Sequence, residues 1–422
     1  MGKRDRSPSP LLEDFGAKRQ HAWPCDETAM EKAREFVRRC ATNPTSPILL
    51  LPDRDADGLT GGLIFHRTLR LLGVPPSSIT THFVTKGTSI HAEGEREILE
   101  GYGARRVIVV DQGSRGAGEV VRGAEVLVVD HHWSAEFPSK AEVVNASHYP
   151  PVATSALLAY LICEPLHQRV PETCAWLAVL GTMGDLGTGV AWTPPFPDLS
   201  WATKGVGKSK MGEAVGLLNA PRRTAENDVR TAWQALLASN TAADVVSPSN
   251  PSFKRLREAK AEVAAETQKW ARTPPKFSSD GRFAVFEISS PAQIHPLIAT
   301  RWSGYLKATN LEALVVANTG YNPHRVHFAC RIPRSRKSQI TLPEPDLITL
   351  LSELAAKVDG LREKLGDDYA RGHKEATGGV VSMEAWGLLK EAMELGVKKE
   401  GGGVKGGKKV TQRNTLDQYF KR

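Results

Sequence analysis

Asp130-His131-His132 stands directly behind the apolar run Val126-Leu127-Val128-Val129. Two imidazoles and a carboxylate at the end of a buried segment make a poor core and a good metal site. Other acids sit behind apolar runs in the same way. Asp53-Arg54-Asp55-Ala56-Asp57-Gly58 follows Ile48-Leu49-Leu50-Leu51, and Asp111 follows Val107-Ile108-Val109-Val110. Asp185 closes the apolar segment 176–183. A globular core does not bury four carboxylate clusters without a cation to compensate them. Carboxylates combined with imidazole suit a hard or borderline divalent ion, Mn²⁺ or Mg²⁺. Two such ions about 3.5–4 Å apart can clamp the attacking and leaving oxygens of a phosphoryl displacement. That arrangement needs a bridging carboxylate, and Asp111 is the natural one. Any one of these acids alone reads as a cap in a strand-to-helix loop; the ordered set does not.

The elements that must position these residues are legible in the apolar pattern. A helix is expected over 26–40, then strands over 48–51, 81–84, 107–110, 126–129 and 142–145, with helices over 59–72 and 93–101 between them. Continuous Val/Ile/Leu strands alternating with helices indicate a parallel sheet covered on both faces. Ligands of such sheets bind outside the carboxyl ends of the strands. Asp53, Asp111 and Asp130 all fall there. Helical patterns continue over 154–166, 172–180 and 225–238, around a Gly-, Pro- and Trp-rich loop over 188–210. Gly58, Gly61 and Gly62 open the helix after the first acidic cluster, where glycine permits close backbone approach to metal or phosphate, or a plain strand-to-helix turn.

Asp-x-Asp-x-Asp-Gly, strand-Asp, strand-Asp-His-His and Gly181-Thr182-Met183-Gly184-Asp185, in this order, resemble the DHH phosphoesterase superfamily. Leu218-Asn219-Ala220-Pro221-Arg222-Arg223 is similar to the Asn-Ala-x-Gly-Arg segment of its RecJ exonuclease branch, with Arg222 where that branch has Gly. Arg371-Gly372-His373-Lys374-Glu375-Ala376-Thr377-Gly378-Gly379 is similar to the Gly-Gly-His-x-x-Ala-x-Gly loop of the DHH-associated domain. The resemblance implies that Asp53, Asp55, Asp111, His131 and Asp185 hold two divalent metal ions, Mn or Mg. Asp57 is either a further ligand or a carboxylate behind the ligands. Asp130 is shared between orienting the histidines and ligation. His132 then reaches the scissile phosphate as leaving-group acid or charge stabiliser, and an activated water is the nucleophile.

The same resemblance places substrate phosphate contacts at Arg331, Gly372, His373, Gly378, Gly379, Asn219 and Arg223; Arg222 beside them reads as a further phosphate contact or, with Arg223, as a solvated helix start. Ala329-Cys330-Arg331 stands where the family has Ser-x-Arg, so one hydroxyl is replaced by Ala329. Trp192, Trp201 and Trp302 are either base-stacking residues or core anchors.

The formal charge is +8 over 422 residues. Lys398 to Arg422 carries eight Lys/Arg against two Asp/Glu, a net of +6, and the first twenty residues about +2, so the body is near neutral. A basic tail reads as a nucleic-acid, nuclear-import or docking segment. Thr411-Gln412-Arg413-Asn414-Thr415-Leu416-Asp417-Gln418-Tyr419-Phe420 resembles a sliding-clamp (PCNA) box, with Leu416, Tyr419 and Phe420 as its hydrophobic plug and Arg413 where the Gln normally stands. Five scattered cysteines without C-x-x-C spacing read as free thiols. No apolar run has the length of a membrane span, and the N-terminus has no secretory core. The expected location is the nucleus, or otherwise the cytoplasm.

The expected fold class is α/β. A disorder-like segment, 1–24, precedes a parallel-sheet DHH domain over 25–247. A helical linker over 248–278, with a charged helix over 253–270, leads to a smaller α/β DHH-associated domain over 279–398. The basic tail is 399–422. In the associated domain, strands are expected over 283–288, 313–318 and 326–331 and helices over 294–307, 345–357 and 382–395. The resemblance implies a single-strand nucleic-acid exonuclease of replication or repair, acting on DNA or RNA and recruited by the sliding clamp. The alternatives are a phosphohydrolase of short oligonucleotides or polyphosphate, and an inactive clamp- or DNA-binding scaffold.

Overall fold

The computed structural model describes residues 23–43, 46–308, 310–337, 345–366 and 368–396. The segment 1–22 and the tail, with Leu416, Tyr419 and Phe420, lie outside the described residues. The chain divides into two compact units. The first takes residues up to Arg222 and Asp228–Lys260; the second takes Arg223–Asn227 and the chain from Ala261 onward.

The first unit opens with α1 (Glu27–Thr42), whose N-cap Asp26 accepts from Thr28 N and Ala29 N. A sheet follows: β1 (Ile48–Pro52), β2 (Ile79–Thr81), β3 (Arg106–Val110), β4 (Glu125–Asp130) and β5 (Ala141–Asn145). Its order is β2-β1-β3-β4-β5 and every pairing is parallel. The strands β1, β3 and β4 are almost wholly buried, which is why they read as unbroken apolar runs. Helices α2 (Ala56–Leu71) and α3 (Glu93–Gly101) connect the first strands. After β5 come α4 (Ser155–Cys163), α5 (Val170–Leu186), α6 (Lys208–Asn219) and α7 (Val229–Leu237). One core joins α1, α2, α4 and α5 to one face of the sheet; a smaller one, with Val84, Ile90 and Leu99, covers the other.

One expectation is corrected here and one extended. The second strand is Ile79–Thr81 and not 81–84, because the pairing with β1 ends at Thr81, opposite Leu50. The helix expected over 172–180 extends to Leu186, so Asp185 lies in its last turn.

Helix α8 (Phe253–Trp270) leaves the first unit at Lys260 and continues in the second. The second unit holds a six-stranded sheet built from β6 (Lys276–Phe277), β7 (Phe283–Ile288), β8 (Ala313–Asn322), β9 (Arg325–Arg331), β10 (Arg371–His373) and β11 (Ala376–Ser382). Only β7 and β8 pair in parallel; the other pairings are antiparallel. Helix α9 (His295–Tyr305) belongs to one core, while α10 (Leu347–Ala355) and α11 (Met383–Ala392) belong to the other. The glycine segment expected as a loop is thus a hairpin, β10–β11, laid along β9. A strand rich in Gly has weak β propensity and escapes a reading by composition.

No helix among the described residues is long and apolar enough to cross a membrane. All five cysteines are buried and free.

Candidate metal centre

The strand order reverses direction at β1, so the crevice between the ends of β1 and β3 is the topological switch point of the sheet. Register then aligns the acids. Pro52 pairs with Val110, and Val110 with Val129. Just beyond these pairs, Asp53 N donates to Val110 O and Asp111 N to Val129 O, both at 2.9 Å. Asp53, Asp111 and Asp130 therefore stand side by side at the carboxyl edge. Asp111 has φ +65°, a left-handed conformation uncommon for a non-glycine residue.

Asp55 is the N-cap of α2 and accepts from Gly58 N at 3.2 Å. The turn is tight: a Cβ on Gly58 would lie 2.7 Å from the backbone of Asp53. Glycine here serves the packing of the helix on its own loop. Asp57 is fully buried in the first turn of α2. Its Oδ2 accepts from Ser155 N at 2.8 Å and its Oδ1 from Ala156 N at 3.0 Å, so it satisfies the first amides of α4. A side chain on Gly181 would run into Thr60 and Asp57, which is how α5 comes close enough to bring Asp185 to the centre.

His131 is buried, and its Nε2 lies 3.1 Å from Asp185 Oδ2, 3.3 Å from Asp111 Oδ1 and 4.0 Å from Asp57 Oδ2. Despite these distances Nε2 makes no well-directed hydrogen bond. Three groupings of metal-ligand type result: Asp57–His131–Asp185, Asp53–Asp55–Asp111 and Asp111–His131–His132, with ligand atoms within 4.8 Å of one another. Asp111 links the acid triad to the histidines.

Charge confirms the mismatch that a cation would relieve. Burial, then the Asp57 charge, push the Asp111 carboxyl well above the ordinary range. Burial and Asp185 push Asp57 up to about 7, and burial and Asp55 raise Asp53. A divalent ion held among these acids would offset their burial and mutual repulsion. An orphaned imidazole nitrogen amid three carboxylates and an all-oxygen triad beside it fit two hard or borderline divalent ions.

Asp130 belongs to none of these groupings among the described residues. Its Oδ1 accepts from His131 N at 2.8 Å, His132 N at 3.2 Å and His132 Nδ1 at 2.8 Å, and its Oδ2 from Ser114 N at 3.1 Å. Burial alone would raise its pKa, but His132 and these donors hold it below the ordinary range. Asp130 thus ties the two histidines to the Ser114 loop. The His132 ring is half exposed and is raised to about 10; its burial opposes the shift and the Asp130 carboxylate outweighs it.

Several neighbours of the centre, Arg222 apart, were not singled out by sequence. Ser155 Oγ donates to Asp111 Oδ1 at 2.9 Å. Asn145 Nδ2 donates to His132 O at 3.0 Å and Ser114 Oγ at 2.9 Å, fixing the histidine loop. Arg222 Nη2 lies 3.2 Å from Asp55 Oδ2. Buried Nε and Nη1 of Arg54 have no hydrogen-bond partner. Trp133 is 63% exposed beside His132. Only the placement of Arg54 and Trp133 within or beside the motifs could have flagged them.

The expected phosphate contacts are distributed. Asn219 Oδ1 accepts from Ala56 N at 2.9 Å, so this residue braces the acidic loop. Arg223 belongs to the second unit, where its carbonyl accepts from Gln293 N. Arg331 ends β9, opposite Ala376, and Gly378 pairs with Ala329 on the same two strands. Gly372 has φ +130° and lies opposite Thr377. A Cβ on Gly379 would meet Asp368 O and the Phe328 ring, so this glycine is required by packing. His373 lies in β10, opposite Ala376. Trp302 is a core anchor: it is buried and its Nε1 donates to Ala271 O.

Residues 47–182 match the DHH family, N-terminal domain. The single-stranded-DNA-specific exonuclease RecJ of Thermus thermophilus is 32% identical over 183 residues, which are 39% of this chain and 27% of that protein. The chain therefore spans about a quarter of the length of the curated relative it matches. The crystal structure of RecJ from Thermus thermophilus in complex with Mn²⁺ superposes with a TM-score of 0.61 at 19% identity, over 87% of this chain and 54% of that one. A further solved structure, exonuclease RecJ bound to manganese, gives 0.57 at 18% identity, over 87% and 93%. The fold is shared with these structures, and the stretch that matches the DHH family, residues 47–182, contains the acid and histidine motifs from Asp53 to His132.

Proposed function

We propose that the chain is a metal-dependent phosphodiesterase that removes nucleotides from an end of single-stranded nucleic acid. The observation that carries this reading is the pair Asp111–His131. A buried imidazole nitrogen without a well-directed hydrogen bond faces a carboxylate that is also part of the acid triad. Asp53, Asp55 and Asp111 would hold one divalent ion, and Asp57, His131 and Asp185 the other, with Asp111 available to both. Ions held there would neutralise the phosphodiester charge and lower the pKa of a water toward neutrality.

The chain's own residues supply the rest. Asp130 fixes His132 through Nδ1, so a proton passed to the leaving oxygen comes from the other ring nitrogen. Ser155 holds the Asp111 carboxylate in one orientation. Arg331, Arg223 and the hairpin of Gly372, His373, Gly378 and Gly379 are proposed to bind substrate phosphates away from the reacting one. Identity to a single-stranded-DNA-specific exonuclease favours a nucleic-acid substrate. A nuclear setting in replication or repair, with the 411–420 segment docking on the sliding clamp, completes the proposal.

The test is hydrolysis of end-labelled single-stranded DNA and RNA and of matched duplex, with Mn²⁺ or Mg²⁺. The expected result is stepwise release of mononucleotides from one end of the single strand, abolished by chelation. Turnover confined to pyrophosphate or dinucleotides would favour the small-substrate alternative.

A further inference from the structure

We propose that Arg222 controls loading of the Asp53–Asp55–Asp111 subsite: its guanidinium stands in for a cation beside Asp55 and leaves it for the substrate phosphate. This rests on the reading of the acidic centre as a two-cation site.

The two cation groupings are unequal. Asp55 has both oxygens occupied: Gly58 N donates to Oδ1 at 3.2 Å and Arg222 Nη2 to Oδ2 at 3.2 Å. The ion pair is mostly buried, with Arg222 17% and Asp55 20% exposed at their side chains. Asp185 in the other grouping has no arginine or lysine ion pair among the described residues; its neighbour is the His131 ring. Arg222 is also held at the centre by its own segment. Asn219, three residues earlier, accepts from Ala56 N, the residue after Asp55. Arg222 therefore cannot move far from the acidic loop while that bond stands.

A divalent ion bound by Asp55 would approach a fixed positive charge across a mostly buried contact. At this range and with weak screening, the repulsion weakens binding by at least about tenfold. The guanidinium has an alternative partner, because its planar fork matches the oxygens of a phosphate. When a phosphate enters, Arg222 exchanges a carboxylate for a phosphate, Asp55 is released for ligation, and cation and substrate bind cooperatively. The subsite is then filled mainly when substrate is present.

The experiment is a Mn²⁺ titration of the full chain, with free Mn²⁺ followed by electron paramagnetic resonance, first with the metal alone and then with thymidine 5′-monophosphate. The wild-type chain should bind two ions at least about tenfold apart in affinity, and the nucleotide should tighten the weaker step. Arg222→Gln should strengthen the weaker step by about tenfold or more and remove the effect of nucleotide. Arg222→Lys, which keeps the charge, should leave the weaker step weak. An unchanged stronger step in each variant shows that the centre is folded. Two ions bound with Arg222→Gln indistinguishable from wild type overturns the role of Arg222 and leaves the two-cation reading standing. At most one ion bound by every protein, with or without nucleotide, removes the two-cation reading itself and the proposal with it.

Discussion

Asp57 joins two helices at the centre: from the first turn of α2 it accepts the N–H groups of Ser155 and Ala156, which begin α4. One carboxylate thus serves both the fold and the candidate metal centre. Asp57→Ala should lower the stability of the metal-free chain by about 1–3 kcal/mol, because two buried donors lose their acceptor. Asp57→Asn should be milder but not neutral, because its one amide oxygen can accept from only one of the two N–H groups and its NH2 faces the other. Urea denaturation in a chelator, with Mn²⁺ binding measured alongside, separates the two effects; equal destabilisation by both variants would contradict the capping role.

The two adjacent histidines should behave differently. His131→Ala should lose bound Mn²⁺, since Nε2 lies amid Asp111, Asp185 and Asp57. His132→Ala should keep most of the metal and lose turnover by roughly 10²–10⁴-fold if the ring acts as a general acid. Equal metal loss in the two proteins would remove that assignment.

Much of this was legible in the sequence because a parallel sheet writes its strands as apolar runs and puts ligands at their ends. Asp53, Asp111 and Asp130 could be grouped on that rule alone. Asp130 shows what the rule omits. Behind a strand it could ligate or orient the histidines, and only the structure shows the four N–H groups through which it orients them. Asp57 was left open for the same reason, since its partners Ser155 and Ala156 are about a hundred residues away. The helix before Asp185 was legible over 172–180, but not its continuation to Leu186 that carries Asp185 to the centre. The β10–β11 hairpin was hidden by its glycines, whose need is tertiary: Gly379 has no room for a side chain against Phe328. Arg222 stood within a quoted motif, but nothing in a linear chain shows that it pairs with Asp55.

Arg331→Ala should raise KM for oligonucleotides far more than for a minimal phosphodiester, because Arg331 is proposed to hold a phosphate other than the reacting one. The guanidinium sits at the end of β9, partly buried, and burial lowers its pKa without discharging it near neutrality. Parallel kinetics on the two substrates decide the point. Equal losses on both would move the residue to the chemistry or to the fold.

His66 gives the first unit an acid sensitivity independent of metal. Burial, then Arg70 and Arg67, lower its pKa from 6.5 to about 4. The buried Nδ1 has no hydrogen-bond partner, and the ring meets Trp233 edge-on. Between pH 4 and 6.5 the unfolded chain binds the proton and the native one does not. The stability linked to His66 is therefore complete above 6.5 and declines as pH falls toward 4, by up to about 3 kcal/mol. His66→Leu in chelator should flatten the dependence of the denaturation midpoint on pH across that window. A slope equal to wild type would assign the acid sensitivity to other groups.

The tail should recruit and not catalyse. Deleting residues 399–422 should leave hydrolysis of short single strands nearly unchanged, because every proposed ligand and phosphate contact lies earlier in the chain. The same deletion, or Tyr419→Ala with Phe420→Ala, should abolish binding to the sliding clamp. The two rings would supply most of the apolar area that a short plug can bury, and aromatic anchors of this kind dominate binding energy at small interfaces. Affinity should be modest, since Arg413 stands where the clamp box normally has Gln. Calorimetry of a peptide spanning 408–422 against the clamp measures this directly. Residues 398–422 carry eight Lys/Arg against two Asp/Glu, so an electrostatic contact would fade with added salt, whereas an aromatic plug would not. Heat that survives high salt and disappears with the two alanines supports docking. Heat that follows salt alone, or none at high micromolar peptide, would leave the tail as a basic segment and remove the main sequence argument for work at a replication fork.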